Sequence, residues 1–302
     1  PWALIVPLVT PHDVLAYPES YREGGYDRAD WADLDAVGLP ATVNEPLGDK
    51  PRAHARMRVG QGGFLGGLKD RGQQLDYCRF YAHLHRLVDR NVGRILAALG
   101  DPDDPGSLRS RTVVFRTSDH GEMGMSHGGM RQKMFNAYEE TVNVPLIVSS
   151  PALFPEGRES EAPASLCDLL PTMAELAGVD VAGDGIRGRS LGPVLRGEAG
   201  SVRDGALFTF DDHQSGSAYR DVAPPPNRIR AWRTPTATYA EYVDPTGRAA
   251  PEYELYDMAR DPLQAINLVD RDTGEPRDHR DRPLLDRMRA ELHAELERCG
   301  VV

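Results

Sequence analysis

Cysteine, lysine and long apolar runs are all scarce in this 302-residue chain, and each scarcity removes a class of protein. The 3 cysteines, Cys78, Cys167 and Cys299, are odd in number and widely spaced. That excludes a disulfide framework and a cysteine-built zinc cluster, and leaves them as core or incidental thiols. No apolar run approaches the roughly 20 residues that span a bilayer as a helix. Positive charge is in deficit: 35 Lys and Arg stand against 46 Asp and Glu, a formal net charge of −11. The general field therefore repels nucleic acid and anionic membranes, so neither is expected as a partner. An anionic substrate would need cations placed locally. Lysine occurs only at Lys50, Lys69 and Lys133, every other basic side chain being arginine. A lysine retained at a motif position against that background carries weight.

What is present points to a piece of an α/β protein. The opening, Pro1-Trp2-Ala3-Leu4-Ile5-Val6, has neither the basic flank nor the cleavage site of a secretory signal, and cytoplasmic and exported locations both stay open. It lacks an initiator Met and starts inside an apolar run, residues 3–9, that reads as a buried strand. The expectation is a fragment whose N-terminal half is absent. Residues 18–67 hold many Gly, Pro and Asp and read as a long irregular excursion. Residues 73–99 repeat apolar side chains at three- and four-residue steps, an amphipathic helix ended by Gly100. Buried strands are expected at 112–115 and 144–148 and a helix at 166–176. Helices alternating with buried strands imply a mostly parallel sheet covered on both faces. After residue 200 short strands follow at 206–210, 228–232, 238–243 and 253–256, then an amphipathic helix at 283–298. The expected domains are a main α/β part, residues 1–200, and a small C-terminal antiparallel-sheet subdomain, residues 201–302.

Two of the inferred strands end in ionisable pairs, His12-Asp13 and Asp119-His120. In open α/β sheets ligands gather outside the carboxyl ends of the strands. An isolated strand-end Asp is commonly only a cap or turn former, so the weight lies in the neighbours. Ser118-Asp119-His120-Gly121-Glu122 is followed by His127-Gly128, Lys133, Tyr138-Glu139-Glu140 and Val144-Pro145-Leu146-Ile147.

That order resembles the sulfatase signature. Four further stretches agree: the segment with Pro11-His12-Asp13, the run Asp168-Leu169-Leu170-Pro171-Thr172, the turn Gly188-Arg189-Ser190-Leu191, and the group Glu254-Leu255-Tyr256-Asp257 with Asp261-Pro262 and Asn267-Leu268. The resemblance implies an alkaline phosphatase-like α/β fold and metal-dependent hydrolysis of a small anionic sulfate monoester. It implies that Asp119 and His120 are metal ligands, with Ca²⁺ ahead of Mn²⁺. His120 stands where many relatives carry Asn and others His, and it reads alternatively as a residue supporting a ligand. Lys133 would bind a sulfate oxygen, although it lies one residue further from His127 than in many relatives. His12 would contact the sulfate or the departing oxygen, His127 would line the site or shape its loop, and His213 would approach substrate from the small subdomain or lie on an exposed loop.

Sulfatases attack with a formylglycine made in a Cys/Ser-x-Pro/Ala-x-Arg motif. Cys78 precedes Arg-Phe-Tyr-Ala, Cys167 precedes Asp-Leu-Leu-Pro, and Ser149-Ser150-Pro151-Ala152-Leu153 fails at the Arg position. The nucleophile and remaining metal carboxylates are therefore expected in an N-terminal part, and this chain alone should be a poor catalyst or none. The alternatives are a phosphodiesterase or phosphonate monoester hydrolase of the same superfamily, and a non-catalytic truncated remnant. The organic part of the ester and the oligomeric state have no readable code.

Overall fold

The structure, a computed structural model, describes residues 2–181, 183, 185–211 and 222–301, so the suggested role of His213 lies outside the described residues. Residues 2–9 carry no strand, and Leu4 and Ile5 are 70% and 87% exposed. The strand expected at 3–9 is thus not formed: an apolar run becomes a strand only where a neighbour satisfies its backbone groups, and among the described residues none does. Beyond it, two 3-10 turns, His12–Ala16 and Arg28–Trp31, and the segment between them bring Val14, Tyr17, Tyr21 and Trp31 to one cluster with Tyr77, Phe80 and Leu84.

Helix α1 (Arg52–Phe64) occupies part of the stretch expected to be irregular. Its Ala, Arg, Met and Gln residues are good helix formers. The glycines that argued for a loop include Gly60, which lies against Val222 so tightly that a Cβ would collide with that side chain. Helix α2 (Arg71–Leu99) follows the predicted periodicity, with Asp70 accepting from the Gln73 N–H at 2.9 Å and Gly100 (φ 90°) closing it.

Strands β1 (Val114–Thr117) and β2 (Leu146–Ser149) lie about two residues beyond their expected positions and pair antiparallel, Thr117 opposite Leu146. Apolar runs report burial but not strand direction, which is why this pairing was not legible. Between them come one distorted turn, α3 (Ser126–Gly129), and one helical turn, α4 (Glu139–Val142). Short helices α5 (Leu169–Leu176) and α6 (Gly192–Leu195) follow.

The C-terminal sheet matches the sequence reading closely. Strands β3 (Ala206–Phe210), β4 (Arg228–Thr234), β5 (Ala237–Val243) and β6 (Glu252–Asp257) pair antiparallel in that order. Alternation sorts them by face. Trp232, Tyr239 and Leu255 meet Leu285, Met288 and Leu292 of α7 (Arg282–Cys299), whose three-, four- and seven-residue spacing makes one apolar stripe. On the opposite face Ile229, Ala231, Ala240 and Tyr242 cover Ala137, and Glu252, Glu254 and Tyr256 share that side of β6. The sheet therefore backs the motif segment from Gly121 to Val142.

Candidate functional site

Asp119 and His120 sit where β1 ends, and close backbone packing holds them there. The Gly121 N–H donates to the Thr141 carbonyl at 2.9 Å, and a Cβ on Gly121 would collide with the Glu140 carbonyl. Only glycine admits that approach. Ser118 Oγ donates to the His120 carbonyl at 2.8 Å, and the His120 N–H donates to Asp119 Oδ1 at 3.0 Å. His120 Nδ1 lies 2.8 Å from the Gly121 carbonyl oxygen, which can only accept, so Nδ1 carries the proton and Nε2 is left outside that bond. That Nε2 faces Asp119 Oδ2 at 3.4 Å, with the Asp119 side chain 83% exposed.

Glu122 joins this turn to the segment bearing Lys133. Its Oε1 accepts from the Tyr77 hydroxyl at 2.6 Å and from the Gln132 N–H at 2.9 Å, while the Met123 N–H donates to the Gln132 carbonyl at 2.9 Å. Arg131, buried, donates to the Gly66 carbonyl at 2.7 Å and so ties the segment to the end of α1. Lys133 is half-buried, and among the described residues its ammonium has no hydrogen bond or ion pair. His12 is exposed at the start of its 3-10 turn. Among the described residues nothing bonds His12 or Lys133 to the Asp119–His120 pair, and no group of three or more His, Cys, Asp or Glu side chains is placed to hold a metal.

His127 goes elsewhere. Its side chain is 0% exposed, stacked on Tyr138 at 3.6 Å with planes 7° apart. Nδ1 lies 2.7 Å from Glu45 Oε2, and Nε2 lies 3.4 Å from Glu140 Oε2. Burial pushes the imidazolium down, but the close carboxylates of Glu140 and Glu45 more than offset this, leaving it raised. Burial likewise pushes Glu140 up, and His127 reverses the shift so that the carboxyl is held below its usual value.

The same interior holds Lys50, whose Nζ lies 3.1 Å from Glu45 Oε1, donates to the Gln264 carbonyl at 2.7 Å and sits 4.5 Å over the Tyr256 ring. Glu254, its carboxyl raised by burial, accepts from Tyr242 and Tyr256 hydroxyls at 2.8 Å each. His54, its pKa lowered well down by burial and by the charges of Lys50 and His127, contacts the hydroxyls of Tyr242 and Tyr138 at 2.8 and 3.1 Å. Sequence reasoning passed over Lys50, Glu45 and His54. The rarity of lysine was the available signal for the first; for the other two there was none.

Residues 1–179 match the Sulfatase family, and residues 126–292 match the family described as N-sulphoglucosamine sulphohydrolase, C-terminal. The chain belongs to the sulfatase family. It is 40% identical to mouse (Mus musculus) steryl-sulfatase over 135 residues, covering 41% of this chain and 21% of that protein. It is 30% identical over 199 residues to the Delta 4,5-hexuronate-2-O-sulfatase of Bacteroides thetaiotaomicron, covering 64% of this chain and 37% of the relative. This sulfatase-family chain thus spans well under half the length of both.

Among solved structures, a 2-O GAG sulfatase superposes with a TM-score of 0.70 at 23% identity, over 96% of this chain and 58% of that one. A protein in complex with D-glucosamine-2-N,6-O-disulfate gives 0.70 at 20%, over 90% and 62%. The phosphonate monoester hydrolase of Agrobacterium radiobacter gives 0.68 at 23%, over 96% and 55%. The fold is accordingly the alkaline phosphatase-like α/β fold of the sulfatases, with a small antiparallel C-terminal sheet.

Proposed function

We propose that this chain contributes part of a metal-dependent sulfate-ester site, in which Asp119 and His120 hold the cation and Lys133 and His12 bind the sulfate. The observation that supports it most is the disposition of the His120 ring. With Nδ1 committed to the Gly121 carbonyl, Nε2 presents a lone pair beside a free carboxylate oxygen 3.4 Å away. Adjacent ligands at right angles around a cation with bonds of about 2.3–2.6 Å stand about 3.3–3.7 Å apart, so the two donors fit neighbouring corners of one coordination shell. Oxygen-rich shells suit Ca²⁺, which we favour, and the imidazole also suits Mn²⁺. Bound there, the cation would polarise a sulfuryl oxygen.

Two protein ligands do not complete such a shell. The solved neighbours extend well beyond the matched region, and we assign the remaining ligands and the attacking group to chain outside these 302 residues. The family's formylglycine has no precursor motif here, and Cys78, buried and pushed up to about 11 by burial, is no substitute nucleophile. The chain's own contribution is to orient the cation through Asp119 and His120, to place the Lys133 ammonium against developing charge, and to offer His12 to the departing oxygen. Likeness to a phosphonate monoester hydrolase over 96% of the chain supports a second reading, phosphoryl instead of sulfuryl transfer, on the same residues.

Titrating protein extended by the part that completes the shell with Mn²⁺, and following the free ion by electron paramagnetic resonance, tests the ligand pair. Asp119→Ala should remove the bound ion and Asp119→Asn should retain part of it, because the amide keeps an oxygen without its charge. Undiminished binding in Asp119→Ala would exclude Asp119 from the coordination shell.

A further inference from the structure

His127 falls within the motif block yet lies where no substrate can reach it, and its surroundings give it a different task. Both ring nitrogens face carboxylates, Glu45 Oε2 at 2.7 Å and Glu140 Oε2 at 3.4 Å, and Tyr138 stacks on the ring face. Its backbone is in the left-handed region (φ 48°, ψ 70°), as are those of Met125, Gln132 and Phe135 nearby. A non-glycine residue is held there only by the structure around it. The His127 N–H donates to Thr42 Oγ1 at 3.0 Å and the Gly128 N–H to the Thr42 carbonyl at 2.8 Å, which supplies that hold.

We infer that His127 is a positioning residue: bridging Glu45 and Glu140, it fixes the Glu140–Thr141 backbone, and that backbone fixes the turn bearing Asp119 and His120. The linkage is continuous. His127 Nε2 faces Glu140; the Glu140 carbonyl lies where a Cβ of Gly121 would be; the Gly121 N–H bonds the Thr141 carbonyl at 2.9 Å; and the Gly121 carbonyl accepts from His120 Nδ1 at 2.8 Å. A movement of Glu140 therefore moves Gly121 and releases the bond that sets the His120 tautomer. The importance of this placement rests on the proposed metal role of Asp119 and His120, but the linkage exists without a metal and is tested without one.

Two substitutions separate positioning from mere filling of space. In His127→Gln the side-chain amide reaches about where Nε2 stood and keeps an N–H facing Glu140. In His127→Asn it reaches about where Nδ1 stood and serves Glu45 alone. Asparagine is the more comfortable residue in left-handed backbone, so overall stability should favour Asn or divide the two little. The readout is hydrogen exchange of the Gly121 amide in the metal-free 302-residue chain, alongside global unfolding. Gly121 should exchange at least about tenfold faster in His127→Asn and near the native rate in His127→Gln, while amides of β5 stay protected in both. Glu140→Ala, with His127 intact, should reproduce the loss at Gly121 if either histidine variant fails to fold. Exchange that follows global stability in both histidine variants, or native protection of Gly121 in Glu140→Ala, would overturn the inference. Failure of Asp119→Ala to lose metal would leave these results untouched and count against the ligand pair alone.

Discussion

Replacing Lys50 by methionine, which is close to it in length and volume, should destabilise the protein by about 3–5 kcal/mol, the range for removing one partner of a buried ion pair. Little cavity is created. What disappears is charge compensation: the Lys50 side chain is 0% exposed, its Nζ lies 3.1 Å from Glu45 Oε1, and the Gln264 carbonyl accepts from it at 2.7 Å. The stranded carbonyl alone accounts for about 1–3 kcal/mol, and the ammonium's position 4.5 Å above the Tyr256 ring adds about 2 kcal/mol when desolvated. These contributions overlap and are not summed. A loss of 3 kcal/mol shifts the folding equilibrium about 100-fold, well within reach of urea unfolding followed by circular dichroism. Adding Glu45→Gln should cost less than the two single changes together, because anion and cation then leave the interior as a pair, and the coupling should exceed about 1 kcal/mol. A Lys50→Met protein within about 1 kcal/mol of native, or strictly additive single changes, would refute the view that this network is held by charge.

Lys133→Ala should leave unfolding free energy within about 0.5 kcal/mol, yet in enzyme competent for turnover it should raise KM and lower kcat, on the order of 10²-fold in rate. Steady-state kinetics showing unchanged kcat/KM would move the sulfate contact to another residue. For pH, His127 is raised above its ordinary 6.5, so its contribution is complete below that value and is lost as pH rises through the raised one. Glu140 is lowered from 4.5, so its contribution is present above that value and is lost as pH falls through the depressed one. The stability advantage of native protein over His127→Gln should be largest between about pH 4.5 and 6.5. An advantage that grew steadily above pH 6.5 in urea titrations would contradict the charged bridge.

Patterns that depend on near neighbours were legible, and those that depend on distant partners were not. The spacing of apolar residues placed α2 and α7, and the alternation of strand residues placed β3 to β6 within about two residues, because each records the face turned to a core. Helix α1 was hidden by glycines whose reason, the close approach of Val222 to Gly60, lies 162 positions away. Residues 2–9 have the composition of a strand but no described partner. At the candidate site, motif order located the Asp119–His120 turn, while nothing in the motif told a side chain facing solvent, as Asp119 does, from one facing the interior, as His127 does. That distinction arises from Glu45 and Glu254, both far away in sequence, and from the sheet face on which Tyr242 and Tyr256 stand.

The span of the Lys50 contacts bears on the order in which the molecule comes together. Lys50 bonds partners 206 and 214 positions later in the chain, Tyr256 and Gln264, and Arg52 is paired with Glu252, 200 positions later. At about 5–20 residues per second, synthesis leaves Lys50, Arg52 and Glu45 waiting roughly 10–40 s before those partners exist. Closing a loop of that length then costs on the order of 5 kcal/mol in chain entropy. The charges around Lys50 can therefore be desolvated only as β6 docks, which makes the C-terminal sheet the late-arriving wall of the motif region. A nascent chain released before Glu252 would carry Asp119, His120 and Lys133 in full, and would lack the surface of Glu254 and Tyr256 that encloses Tyr138, His127 and, through them, the turn on which the candidate ligands stand.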